Sequence, residues 1–122
     1  MRERARPPDD ISPADFFLRW VPGAVEGDPE RCARLGGTEA TIEFELTGNP
    51  GGVHVYSVRI AGGRVRGSEG PAPEPDLRVQ VDMETWRALN RGEMSAPEAL
   101  LRRRMHLRGS FVLALKLHLI LG

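Results

Sequence analysis

The chain has 122 residues, 40% of them hydrophobic and 28% charged, which is typical of one globular domain and unlike a disordered protein. Its 17 basic and 17 acidic residues balance, and no aromatic residues alternate with its arginines, so nucleic-acid binding is disfavoured. A single cysteine, Cys32, excludes an internal disulfide and a multi-cysteine zinc site.

The first eleven residues are predicted to be a frayed lead-in, and residues 12–122 to form a single domain. Residues 1–10 alternate arginine with acids and prolines and lack the apolar stretch of a secretory signal. Together with the lone cysteine, this pattern indicates a cytoplasmic protein.

Positive charge is concentrated towards the carboxyl end. Residues 102–122 carry five bases and no acid, so the remaining residues hold 12 bases and 17 acids, a net charge of −5. Such a cluster is either a solvated basic patch or a region attracted to anionic headgroups or a phosphate-bearing ligand. Both interpretations stay open, and we expect at most transient contact with a membrane.

A first helix is predicted to begin at Ser12, an N-cap followed by a proline and, three residues after the cap, by Asp15. Its apolar side chains form one stripe, consisting of Phe16, Phe17, Trp20 and Val21. They either fill the core or contact a ligand. Pro22-Gly23 is expected to end the helix, and residues 26–37 are expected to be irregular.

Three strands are predicted in the middle of the chain. Residues 39–47 alternate polar with apolar side chains, the apolar ones being Ala40, Ile42, Phe44 and Leu46. Residues 53–60 form a second apolar run, and Gly62-Gly63 predicts a hairpin into a short strand at residues 64–66. The arginines of that short strand suit the edge of a sheet.

The following segment, residues 68–75, is rich in proline and predicts a surface connection. Alternating apolar residues then predict a fourth strand at 77–81, and Asp82 caps a helix that Gly92 ends. Ser95 begins a capping box for another short helix. Met105 and Leu107 predict a fifth strand.

The segment 110–122 fits either a strand or a helix. Its leucines recur at every second position from Leu113 to Leu121, which favours a strand. Its residue types favour a helix, however, and Leu113, Leu117 and Ile120 also share one helical face. We predict a helix, which is too short to span a bilayer.

The sequence contains no motif of an enzyme or of a metal site. Glu43 and Glu45 are predicted to face solvent on one strand, which disfavours a paired-carboxylate mechanism. Each histidine lacks an acid three or four residues ahead, so a structural role is favoured over catalysis by His54, His106 or His118. An enzyme using His54 or His106 stays open as a minor alternative.

Several motifs, in order, resemble those of the sterol carrier protein 2 domain family. They are residues 56–60 (YSVRI), 63–65 (GRV), 75–81 (PDLRVQV), 86–93 (WRALNRGE), 97–99 (PEA), 107–109 (LRG) and 109–117 (GSFVLALKL). The resemblance spans residues 38–118. It implies an α+β fold in which helices cover one face of a five-stranded, mostly antiparallel sheet, with an apolar tunnel between them.

The resemblance also implies non-catalytic binding or carriage of a fatty acid, acyl-CoA, sterol-like molecule or other lipid, with no metal or cofactor. The expected ligand-binding residues are Phe16, Phe17, Trp20, Phe44, Met105, Phe111, Leu113, Ala114 and Leu117. Arg103, Arg104 and Arg108 are expected to hold an anionic head group. The alternative is an interaction or dimerisation module with a filled pocket, acting as a homodimer or beside a partner enzyme.

Overall fold

A computed structural model describes the chain over residues 6–120, together with the backbone of residue 121. Its helices are α1 (Pro13–Asp15), α2 (Val21–Glu26), α3 (Pro29–Leu35), α4 (Met83–Asn90), α5 (Ala96–Leu101) and α6 (Phe111–Leu121), and a π-helical turn (Phe16–Trp20) joins α1 to α2. Its strands are β1 (Ala40–Asn49), β2 (Gly52–Ala61), β3 (Arg64–Glu69), β4 (Leu77–Asp82) and β5 (Met105–Gly109). The expected order of the five strands is confirmed.

The five strands form one sheet in the order β3-β2-β1-β4-β5. The β1–β4 pair is parallel, while the β1–β2, β2–β3 and β4–β5 pairs are antiparallel. In this register Phe44 of β1 lies between Tyr56 of β2 and Val79 of β4. The mostly antiparallel sheet and the edge position of β3 therefore agree with the sequence-based expectation.

Period-two alternation places apolar side chains of each strand on the sheet face that the helices cover. The buried members on this face are Ala40, Ile42, Leu46, Tyr56, Val58, Ile60, Val65, Leu77, Val79, Val81 and Met105. Phe17 from the π-helical turn packs against them, with its ring 5.1 Å from that of Tyr56 and 4.8 Å from that of Phe44.

The expectation that Pro22-Gly23 ends the first helix is wrong. Pro22 has no N–H to donate to a carbonyl of the preceding turn, a lack that normally breaks a helix. Here the N–H of Val21 donates to the carbonyl of Phe16, five residues back, and the widened turn lets the chain continue as α2 to Glu26.

The expectation that residues 26–37 are irregular is also wrong, because α3 occupies Pro29–Leu35. Asp28 is its N-cap and accepts a hydrogen bond from the N–H of Glu30 at 2.9 Å. The helix buries Arg31 and Leu35, which are 2% and 1% exposed. It thereby adds a buried arginine to the helical layer.

Glu43 is buried, contrary to the prediction that it faces solvent. It lies on the sheet face away from the helices, but the proline-rich connection crosses that face, and the N–H of Ala72 donates to Glu43 Oε1 at 3.0 Å. Glu43 Oε2 lies 3.2 Å from Nε of Arg78 on the neighbouring strand. Its side chain is 4% exposed, so the ion pair is half-shielded from water.

The carboxyl-terminal segment is a helix, as predicted. β5 ends at Gly109, whose φ of 115° is rarely adopted by other residues and where a Cβ would lie 2.4 Å from the carbonyl oxygen of Asp76. Ser110 Oγ then accepts a hydrogen bond from the N–H of Leu113 at 3.1 Å. This turn and cap end the strand and begin α6.

Candidate ligand-binding cavity

A cavity of about 1250 Å³ lies between the sheet and the helices. This volume exceeds the roughly 300–1,000 Å³ of most small-molecule sites. Apolar side chains from all five strands form one wall, and side chains from the π-helical turn and from α2 to α6 form the other. The site is thus the space between the two layers of the fold.

Aromatic side chains of the π-helical turn line the cavity next to α4. The ring of Phe16 stacks on Trp20 with centroids 5.4 Å apart and meets Trp86 edge-on at 5.3 Å. The widened turn brings these rings to the cavity wall, where each buries a large apolar area.

Eight of the nine residues expected to contact a ligand line this cavity, namely Phe16, Phe17, Trp20, Phe44, Met105, Phe111, Ala114 and Leu117. The ninth, Leu113, is 8% exposed and packs in the core without lining the cavity. It lies three residues after Ser110, so its N–H takes part in the cap while its side chain anchors the start of α6.

The three arginines expected to hold an anionic head lie outside the cavity lining. Arg104 Nε donates to Thr85 Oγ1 at 2.9 Å, and its Nη2 lies 3.9 Å from a carboxylate oxygen of Asp82. Arg103 is exposed in the turn before β5, and Arg108 is exposed on that strand. Arg103 and Arg108 therefore lie on the surface, and Arg104 contacts the residues that cap α4.

Two other arginines, Arg6 and Arg31, line the cavity. Arg31 is 2% exposed, and its guanidinium carbon lies 5.7 Å from the centroid of the Trp20 ring. His118 of α6 also lines the cavity, and no aspartate or glutamate of the described residues does. The charged groups on the cavity wall are therefore cationic.

Sequence reasoning missed Arg31 because it lies in a stretch expected to be irregular. One signal was present, since Asp28 and Pro29 repeat the cap-and-proline pattern of Ser12 and Pro13. That pattern predicts a helix, although burial of its arginine depends on tertiary packing.

Asn90 adds a neutral polar group to the cavity wall. Its Nδ2 is buried and has no hydrogen-bond partner among the residues that the structure describes. A buried amide without a partner costs stability, so a ligand oxygen or a water molecule at this point is favourable.

Tyr56 lies in the sheet beneath the aromatic cluster, and its pKa is raised. Burial of the phenol is the main cause, and the carboxylate of Glu69, opposite Tyr56 across β2 and β3, raises the pKa further. The phenol therefore stays neutral at physiological pH.

Several residues that line the cavity are also exposed, which locates its opening. On α6 these are Phe111 and Leu115, 71% and 62% exposed. Further exposed lining residues lie on α5 and in the loop before it, including Ser95 and Leu100. The part of the lining that is open to solvent therefore includes residues of α5 and of α6.

Over the described part of the chain, no cluster of three or more metal-ligating side chains occurs. Within the same residues, no helix is long and apolar enough to cross a membrane.

Solved structures share this fold. Palmitated SCP2L2 from Aedes aegypti is 22% identical with a TM-score of 0.70, over 92% of this chain and 96% of that one. The sterol carrier protein domain 2 of Helicoverpa armigera is 19% identical with a TM-score of 0.70, over 88% of this chain and 87% of that one.

The fold also occurs within a larger enzyme. Pisa1, a stereoselective inverting sec-alkylsulfatase from Pseudomonas sp., is 14% identical with a TM-score of 0.67, over 92% of this chain but 16% of the sulfatase. Among curated proteins, none matches the chain. A family model described as the SCP-2 sterol transfer family matches residues 23–122.

Proposed function

Because this chain belongs to the SCP-2 sterol transfer family, we propose that it binds and carries an amphiphilic lipid in the cavity without transforming it. The observation that carries the proposal is the character of the lining, which is mostly apolar, contains cations and contains no described carboxylate. Such a lining favours a long apolar chain, whose burial contributes about 25 cal/mol per Å².

The cavity volume supports an open site over a filled one. The alternative of an interaction module with a filled pocket requires the leucines of α6 to occupy the interior. Leu113 and Leu117 do face the interior, but Leu115 is 62% exposed and Leu119 is 54% exposed, and a cavity of about 1250 Å³ that is partly open to solvent lies beside them. The palmitated state of the Aedes aegypti neighbour supports an acyl chain as the apolar part of the ligand.

The cations of the cavity wall support an anionic head group. A guanidinium binds a carboxylate or phosphate through charge-assisted hydrogen bonds, which are stronger than neutral ones. Arg31 is buried at the wall, where water screens such an interaction poorly. We therefore propose that the head group lies at Arg31 rather than at Arg103, Arg104 or Arg108.

The positions of the histidines support a carrier rather than an enzyme. His54 and His106 do not line the cavity, and His106 is exposed. His118 lines it, but the described lining contains no carboxylate to orient the imidazole as a general base.

The proposal is tested by native mass spectrometry of the purified chain and by titration of the lipid-free chain with a fluorescent C16 fatty acid. We expect a co-purifying lipid or saturable binding with one ligand per chain, displaced by unlabelled palmitate. Absence of both a bound lipid and saturable binding contradicts the proposal.

A further inference from the structure

Asn90 is a neutral polar residue in a cavity wall that is mostly apolar. It is the last residue of α4, and its Nδ2 atom is buried without a hydrogen-bond partner among the residues that the structure describes. The apolar side chains of Leu89 and Met94 line the same wall. A fatty acid held by its carboxylate at Arg31 leaves this amide unused.

An unpaired amide in an apolar wall costs free energy, because it has lost its hydrogen bonds to water and gained none in return. About nine in ten buried polar groups in proteins have a partner, so each exception calls for an explanation. Asn90 lies on the wall of a ligand cavity rather than in a packed core. Its position therefore points to a partner that enters with the ligand.

A row of three aromatic rings connects Arg31 to Asn90 along the cavity wall. The guanidinium carbon of Arg31 lies 5.7 Å from the centroid of Trp20, whose ring stacks on Phe16 at 5.4 Å. The ring of Phe16 in turn meets that of Trp86 at 5.3 Å. Trp86 and Asn90 are four residues apart on α4, so their side chains lie on the same face of the helix. A chain bound at Arg31 therefore passes three rings before it reaches Asn90.

The surroundings of Asn90 offer hydrogen-bond donors. Arg6 also lines the cavity, and its guanidinium lies against Gly92, where a Cβ would be 2.9 Å from Nη1. The guanidinium of Arg6 and the Nδ2 of Asn90 can only donate. No described carboxylate lines the cavity to receive these hydrogen bonds. This part of the wall is therefore suited to an oxygen atom of the ligand.

We propose that the ligand is a long-chain fatty acid with a hydroxyl group on the distal part of its chain, and that this hydroxyl pairs with the side-chain amide of Asn90. The proposal rests on the proposed function, since it extends the binding of a carboxylate at Arg31. A hydroxyl both donates and accepts, so it can pair with either atom of the amide. It is also uncharged, so its transfer from water into an apolar cavity costs less than that of a second carboxylate.

Asn90 thereby determines which chains the cavity accepts rather than how tightly it binds them. A hydroxyl gives up its hydrogen bonds to water on entering the cavity, and the amide replaces one of them, so the net gain in affinity is small. Opposite an apolar side chain the same hydroxyl stays unpaired, and a ligand that carries it is rejected. The amide is thus a specificity-determining group for hydroxylated chains.

The test compares palmitate with its 2-hydroxy, 10-hydroxy and 16-hydroxy derivatives, each measured by displacement of the fluorescent C16 fatty acid. We expect the unmodified chain to bind at least one of the two distal isomers, with the hydroxyl at carbon 10 or 16, as tightly as palmitate or more tightly. The 2-hydroxy acid carries its hydroxyl beside the carboxylate and serves as the positional control.

Asn90→Leu keeps a side chain of similar size and removes the amide. We expect it to weaken binding of the preferred distal isomer about tenfold, while its affinities for palmitate and the 2-hydroxy acid stay unchanged. Met94→Leu is the matched control, since it changes another lining side chain without changing its polarity, and it should preserve the order of the four affinities. Without ligand, Asn90→Leu should be at least as stable to heat as the unmodified chain, because it removes an unpaired amide.

Three results overturn the proposal. In the first, both distal isomers bind the unmodified chain more weakly than palmitate does. In the second, Asn90→Leu weakens palmitate as much as the distal isomer, which assigns the carboxylate to Asn90. In the third, Asn90→Leu is less stable than the unmodified chain without ligand, which gives the amide a role within the protein. If palmitate and all three hydroxy acids fail to bind the unmodified chain, the carrier function is wrong as well.

Discussion

Phe17 and Gly67 are in direct backbone contact, and a Cβ at Gly67 would lie 1.9 Å from the Phe17 carbonyl oxygen. Gly67→Ala therefore displaces the π-helical turn from the sheet, and we expect a loss of about 2 kcal/mol in the free energy of unfolding. Denaturant unfolding measures it. Gly23→Ala is the control, because a Cβ at this helical position meets nothing within 4 Å. We expect this variant to gain about 0.5–1 kcal/mol in the free energy of unfolding. Equal stability of the two variants contradicts the contact.

Ala114 lines the cavity from α6, so Ala114→Phe is expected to occupy space that an acyl chain needs. We expect about tenfold weaker binding of the fluorescent C16 fatty acid, with a smaller effect on a C8 analogue. Val112→Phe adds a ring to the same helix but outside the cavity, and it should leave both affinities unchanged. Equal effects of the two variants place the binding site elsewhere.

Arg31→Met keeps a long side chain at the cavity wall and removes its charge. We expect about tenfold weaker binding of palmitate and little change for the uncharged C16 alcohol, since the charge-assisted hydrogen bond is lost. Arg103→Asn is the control, because Asn tolerates the φ of 58° at this exposed position. If Arg103→Asn impairs palmitate binding and Arg31→Met does not, the head group lies near the carboxyl-terminal arginines.

Glu43→Ala removes the partner of Arg78 and the acceptor of the Ala72 N–H. We expect a loss of about 1–3 kcal/mol in the free energy of unfolding. Glu43→Gln retains an oxygen acceptor and should lose less. Glu45→Ala is the control on the same strand face, where this side chain is half-buried, and it is expected to stay within about 0.5 kcal/mol of the unmodified chain.

The Asp82 cap of α4 makes stability dependent on pH. Burial raises the pKa of this carboxyl, but the side-chain and backbone hydrogen bonds from Thr85 and the nearby Arg104 together lower it by more, so the net shift is downward. A lowered pKa contributes stability above the unfolded value of about 3.9, which is lost as the pH falls through the folded value.

Asp82→Ala should therefore lose about 1 kcal/mol at pH 7 and progressively less below pH 4. The uncharged cap of α5 is Ser95, whose Oγ accepts a hydrogen bond from the N–H of Glu98 at 3.2 Å. Ser95→Ala should lose stability without this pH dependence. Unfolding followed by circular dichroism from pH 7 to pH 2 distinguishes the two. Parallel pH profiles contradict the role given to the Asp82 charge.

The elements with local signals were predictable from sequence. Period-two alternation identified β1 and β4, while Asp82 and Ser95 located the starts of α4 and α5, because a cap is a property of three or four neighbouring residues. The choice of a helix for α6 followed from residue type and from the resemblance, since its leucines satisfy both periods.

The errors concern effects that act over a longer range. Pro22 normally breaks a helix, and its tolerance depends on the wider turn before it. Glu43 lies on the strand face that alternation assigns to solvent, yet a connection 29 residues away covers it. Arginine is rarely buried, so no local pattern predicts that Arg31 reaches the cavity wall.

The parallel pairing of β1 with β4 has a consequence for how the chain folds. β1 and β2 meet through a short turn, whereas Thr41 and Asp76, which join β1 to the start of β4, are 35 residues apart. Closing a loop of that length costs about 2 kcal/mol more in entropy than closing the short β1–β2 turn, so we expect the β1–β2–β3 hairpins to form first. The edge of β1 then stays unpaired until β4 arrives, and β5 and α6 follow. The cavity acquires its last wall only at the end of folding, so we expect a newly made chain to bind no ligand until folding is complete.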